Sequence, residues 1–125
     1  MIKPLSLQPG NHIGVISPSY WLNKKALAET SKLFQDNGYP LIMGKSNTMK
    51  WGPFAGHPQD RADDIHRMFS NPDIKTIICA RGGYGANRVL PLLDYDLIKK
   101  NPKIFMGYSD ITAYLTSITQ RAGLI

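Results

Sequence analysis

Four short apolar runs, each followed by a stretch with helical spacing, set the strongest limit on what this chain can fold into. Residues 12–17 read HIGVIS between Pro9-Gly10 and Pro18, residues 39–43 read YPLIM, residues 74–80 read IKTIICA and residues 104–107 read IFMG. Runs of that length, rich in β-branched residues and closed by turn residues, read as buried strands. Pro40 confines the second to a strand start or a sheet edge, because proline has no amide to give a ladder. After the first run, Leu22, Ala26, Leu27, Thr30, Leu33 and Phe34 fall on one side of a helix, with Lys24, Lys25, Lys32 and Gln35 opposite, and Asn37-Gly38 stops it. A second helix starts at Pro58 or Gln59 and carries Ala62, Ile65, Met68 and Phe69 on its apolar face. Its early acids Asp60, Asp63 and Asp64 suit the positive end of the helix dipole. Residues 87–100 form short helical pieces interrupted by Pro91, and residues 111–121 form a last helix ended by Gly123. Strand and helix alternate four times, which predicts an α/β fold, a doubly wound and mostly parallel sheet with helices on both faces. At 125 residues the chain is one domain.

Charge narrows the function classes. Fifteen Lys and Arg against nine Asp and Glu give +6, yet the basic residues occur at most in pairs and are spread over every segment. Without a basic stripe interleaved with aromatics, no nucleic-acid partner is expected. Two early prolines break any secretory signal, and no apolar run has the length to span a bilayer, so no membrane association and a cytoplasmic location are expected. Cys79 is the single cysteine and sits in an apolar run, where a buried thiol is the natural reading. His66 has no second histidine at ligand spacing, so no metal site is expected. Residues 44–58 form a long connection holding Trp51, either a functional flap or a solvent-exposed excursion.

Parallel sheets bind ligands beyond the carboxyl ends of their strands. Three turns of the predicted fold lie there: Ser17-Pro18-Ser19, the glycine-rich stretch from Arg81 to Gly85, and Tyr108-Ser109-Asp110. A serine between a strand and a helix has an exposed hydroxyl, and the amide after it sits at the positive helix end, as an acyl-transfer nucleophile requires. The same position suits a helix N-cap, and the elbow pattern G-x-S-x-G is broken by Ile111. The glycine turn matches neither the dinucleotide fingerprint nor the P-loop. It could supply a second oxyanion donor or be a plain tight turn.

Taken together, the stretches IGVISPS from Ile13, Phe54-Ala55-Gly56 with Arg61, IICARGGYG ending at Gly85, Leu93-Asp94-Tyr95 and PKIFMGYSDIT ending at Thr112 resemble the LD-carboxypeptidase family of serine peptidases. The resemblance runs through nearly the whole chain. It implies a flavodoxin-like sheet with the nucleophile elbow after the fourth strand, Ser109 as nucleophile, and the backbone amides of Asp110 and Gly83 as oxyanion hole. Arg81, Tyr84 and Tyr108 flank these positions as candidate substrate-site residues. The family hydrolyses the bond before the terminal D-alanine of murein tetrapeptide in cell-wall recycling, or, in one branch, a peptide-nucleotide antibiotic, and uses no metal or cofactor. Asn11 or His12 stands where the family has an acid, and His57 where it has threonine. The family's histidine base and glutamate come from a second domain, which none of His12, His57 and His66 replaces. The resemblance therefore implies that residues 1–125 are the nucleophile-bearing N-terminal domain, inactive by itself, whose partner is a C-terminal domain absent from this chain. A surface left uncovered would favour a homodimer. The alternative is a non-enzymatic α/β binding module in which Ser109 only caps a helix.

Overall fold

The computed structural model describes residues 1–125. Four strands, β1 His12–Ile16, β2 Leu41–Met43, β3 Ile74–Cys79 and β4 Ile104–Met106, form one parallel sheet in the order β2-β1-β3-β4. Five α-helices accompany it: α1 Lys24–Asp36, α2 Pro58–Ser70, α3 Ala86–Val89, α4 Tyr95–Lys100 and α5 Thr112–Ala122. The chain therefore has the α/β fold expected of its alternating pattern. Pairing of Val15 with Ile78, and of Ile78 with Met106, puts these three on one face. Ile16, Ile77, Cys79 and Phe105 point to the other. There they meet Ile65 and Phe69 of α2, Val89 of α3, Ile98 of α4 and Tyr114 and Ile118 of α5 in a continuous buried core.

The two faces are covered unequally. None of the thirteen residues of α1 is buried. Between that helix and the sheet lies an apolar groove of about 280 Å³ lined by Leu27, Phe34, Val15, Leu41 and Ile78 among others. Asn23 caps α1 by accepting from the Lys25 amide at 2.9 Å, and Asn37 ends it, as its sequence indicates. At the far side of the sheet the chain ends meet: Ile2 donates to Gly123 O at 2.6 Å and accepts from the Ile125 amide at 3.0 Å.

Residues 44–58, read from the sequence as either a functional flap or a solvent-exposed excursion, carry local structure of their own. A 3-10 helix spans Lys45–Thr48, and Trp51 and Phe54 pair across a tight turn. Asp64 organises the first part, so its role is not the helix-dipole one expected of it. Its carboxylate, 1% exposed, accepts from the Lys45 amide at 3.0 Å, the Ser46 amide at 2.9 Å and the Ser46 hydroxyl. Ser46 Oγ in turn accepts from the Ser17 amide at 2.9 Å, and Asn47 takes the Ser17 hydroxyl at 2.8 Å. Replacing Asp64 with alanine leaves the buried Ser46 amide and the part-buried Lys45 amide without their acceptors. Urea unfolding should show a loss of about 3 kcal/mol, and a loss below about 1 kcal/mol would contradict this reading.

Lys103, 6% exposed, reaches from the turn before β4 to the carbonyls of Asn71 and Ile74, the latter at 2.6 Å. Burial holds its ammonium down to about 8, with Lys75 adding to the effect and Asp73 opposing it. In the native state it sheds its proton near pH 8, whereas the unfolded chain keeps it until near pH 10.5. Between these values the unfolded state binds more protons, so this residue's contribution makes stability rise with pH. A Lys103→Met variant should lack that rise when unfolding is followed from pH 7.5 to 10.5.

Candidate active site

β4 ends at Met106, and the chain turns through Gly107 and Tyr108 into a 3-10 turn over Ser109–Ile111 before α5 begins. Ser109 has φ +62° and is the one non-glycine residue with positive φ. An L side chain at such a φ is held there by its surroundings at a cost of order 1–3 kcal/mol. The corner is tight enough to do this. A Cβ on Gly107 would fall 2.4 Å from Ile111 Cγ2, and one on Gly82 would fall 3.0 Å from Ser109 Cβ and 3.2 Å from the Asp110 nitrogen. Ser109 nevertheless stays exposed, and neither the 3-10 turn nor α5 has a side-chain cap, so its hydroxyl does not fill the capping role.

Three loops meet at this corner, all beyond the carboxyl ends of β1, β3 and β4. The first is joined to the second where Tyr20 donates to Gly82 O at 3.2 Å. The Asp110 carboxylate joins all three: its Oδ2 accepts from Ser19 Oγ at 2.6 Å and from the Ala86 amide at 3.1 Å. Gly83, at φ +109°, lies over the Tyr20 ring, which a Cβ there would meet at 2.5 Å. The amides of Gly83 and Asp110 donate to no other backbone carbonyl and are free to donate elsewhere. Beneath the loops lies Arg61, 0% exposed. Its Nε donates to Gly56 O at 3.1 Å and one terminal nitrogen donates to Pro18 O at 3.0 Å and Gly85 O at 3.1 Å. Tyr114 donates to Pro18 O as well, at 2.7 Å. Burial lowers the guanidinium from its usual value, while Tyr114 and Asp110 work in the opposite sense and Arg88 adds to the lowering.

The other singled-out residues fall around the rim. Arg81 donates to Trp21 O at 3.0 Å and lies over the Tyr20 ring, a hold on the neighbouring loop. Tyr84 is exposed with its ring tilted against Phe54, and Tyr108 is exposed beside the elbow. Trp51 stacks on His57 with ring centroids 4.1 Å apart. His66 accepts from the Asp94 amide at 2.9 Å, and His12 opens β1 at the end remote from the three loops. No group of His, Cys, Asp and Glu is arranged to hold a metal ion, and no helix is long and apolar enough to cross a membrane. Cys79 is buried, which pushes its thiol up. Sequence reasoning missed the roles of the Asp110 carboxylate, Ser19 and Arg61. The available signal for Arg61 was a lone arginine on the apolar side of α2, four residues before Ile65.

Fold and corner together define a parallel α/β protein with a strained serine elbow over a glycine turn at its β1/β3 switch point. The chain belongs to the LD-carboxypeptidase family: that family's N-terminal domain matches residues 13–125. It is 38% identical over 123 residues to a probable murein peptide carboxypeptidase of Bacillus subtilis, covering 98% of this chain and 39% of the relative. It is 37% identical over 128 residues to the microcin C7 self-immunity protein MccF of Escherichia coli, covering 100% of this chain and 37% of the relative. Among solved structures, a mutant of MccF in complex with adenosine monophosphate superposes with a TM-score of 0.93 at 36% identity, over 98% of this chain and 37% of that one. A muramoyltetrapeptide carboxypeptidase from Oxalobacter formigenes gives 0.81 at 27% identity, over 88% of this chain and 37% of that one. The chain thus spans 39% and 41% of the length of two curated relatives it matches.

Proposed function

We propose that this chain is the nucleophile-bearing part of a serine LD-carboxypeptidase that removes the terminal D-alanine of murein tetrapeptide. The observation that carries the reading is the exposed Ser109 at φ +62°, packed against Gly82 in a turn whose Gly83 amide is unspent. Ser109 Oγ attacks the carbonyl before D-alanine. The amides of Asp110 and Gly83 donate to the oxyanion as the tetrahedral intermediate forms. The C–N bond breaks, D-alanine leaves with a proton on its amine, and the acyl chain remains as an ester on Ser109 until water hydrolyses it. The proton taken from Ser109 goes to a base outside these 125 residues, in the full-length protein's C-terminal domain. That assignment is supported by the positions of His12, His57 and His66, which are remote, stacked on Trp51 and bonded to Asp94.

A second substrate class has support in the near-equal identity to the murein carboxypeptidase, 38%, and to the immunity protein, 37%. The test offers the full-length protein a murein tetrapeptide and an aminoacyl sulfamoyl nucleoside side by side. D-alanine release is the expected result. Cleavage of the nucleoside compound alone moves the assignment to the immunity branch, and cleavage of neither rejects the peptidase reading.

A further inference from the structure

The peptide unit joining Gly85 to Ala86 is held from both ends by opposite charges. Its carbonyl accepts from the Arg61 guanidinium at 3.1 Å, and its N–H donates to the Asp110 carboxylate at 3.1 Å. The same pair grips the first loop, one residue apart: Arg61 donates to Pro18 O at 3.0 Å and Asp110 accepts from Ser19 Oγ at 2.6 Å. Arg61 makes no direct ion pair, and its second terminal nitrogen is buried without a partner. A guanidinium taken out of water needs negative charge or strong acceptors nearby. Here the compensation comes from three carbonyls, with the Asp110 charge reaching it through a polarised peptide.

We propose that Arg61 and Asp110 are positioning residues that act as one unit, an ion pair bridged by the Gly85–Ala86 peptide, which fixes the glycine turn against the Ser109 elbow. Neither touches the reacting atoms through its side chain. Asp110 offers its own amide to the proposed oxyanion site while its carboxylate holds the far end of the turn that offers the Gly83 amide. The distance between the two donors is therefore set by the residue that carries one of them. The kinetic consequence rests on the proposed role of Ser109; the bridge itself does not.

The test uses the full-length protein and the variants Asp110→Asn, Arg61→Lys and the double. Asn keeps an acceptor and removes the charge; Lys keeps the charge and cannot span three carbonyls. For D-alanine release, each single should lower kcat by about 30-fold to 100-fold, the scale of a 1 Å misplacement, with KM within about threefold. The double should fall no lower than about threefold beneath the worse single, because the two act as a unit. Independently of activity, the Ala86 amide proton should move upfield and exchange faster in both singles. Wild-type kcat in either single, multiplying effects in the double, or an Ala86 amide unmoved in Arg61→Lys would overturn the bridge. If Arg61→Lys does not fold, Asp110→Asn and Asp110→Ala decide it, with a partial shift of that amide expected in the first and a full one in the second. Should the wild-type protein release no D-alanine, the proposed function fails, and the amide measurement alone decides for or against the bridge.

Discussion

Alanine at position 109 of the full-length protein is expected to abolish the proposed D-alanine release, lowering kcat by at least about 10⁴-fold while the fold is kept. The size follows from the chemistry: without Oγ no ester forms, and the remaining amide donors and binding groups give only a residual rate. The more telling variant is glycine. At φ +62° serine carries backbone strain that glycine does not, so Ser109→Gly should be inactive and also more stable, by about 1 kcal/mol in urea. A serine that served only as a cap behaves in the opposite way, losing about 0.5–2 kcal/mol on replacement by alanine and a few tenths of that unit on replacement by glycine. Active Ser109→Ala enzyme refutes the nucleophile, and a Ser109→Gly protein less stable than wild type refutes the strain argument.

Gly83→Ala carries the second large effect. The residue sits at φ +109°, a backbone conformation that side chains rarely adopt, and the added methyl would lie 2.5 Å from the Tyr20 ring. Tyr20 cannot retreat freely, because its own amide is bonded to Gly82 O and its ring faces Phe54 edge-on at 6.1 Å. The turn must therefore move, taking the Gly83 amide with it. Loss of one oxyanion donor costs about 10²–10³ in kcat. KM should change little, since the donor acts on charge that develops only in the transition state. Circular dichroism matching wild type together with unchanged kcat would remove Gly83 from the oxyanion assignment.

The fold was legible because its strands announce themselves locally. Ile74, Ile77 and Ile78 lie in one run, and Gly10, Asn37-Gly38 and Gly123 mark stops that hydrogen bonding then confirms. The strands came out shorter than their apolar runs, since Ser17, Ala80 and Gly107 already lie beyond the strand ends. The corner residue was legible as well, from a serine after an apolar run and a glycine cluster elsewhere at the same sheet edge. What could not be read was whatever joins distant segments through side chains. Asp64 looks like one more acid in the early turns of its helix until the amides of Lys45 and Ser46 arrive beneath it. Arg81, equally a site-shaping residue or a structural donor by sequence, spends a nitrogen on Trp21 O. Asp110 showed only its amide to sequence reasoning, because its carboxylate partners are 91 and 24 residues away.

The uneven covering of the sheet separates motion from geometry. α1 rests on its apolar groove without a single buried residue, and Leu33 on it is 62% exposed. The loops around Ser109 are instead moored to α2 and α5 through Arg61 and Tyr114, on the densely packed side. A helix so lightly docked can detach and return within the native ensemble, at a small fraction of the global unfolding free energy. The molecule can thus breathe at one flank while the corner around Ser109 stands still.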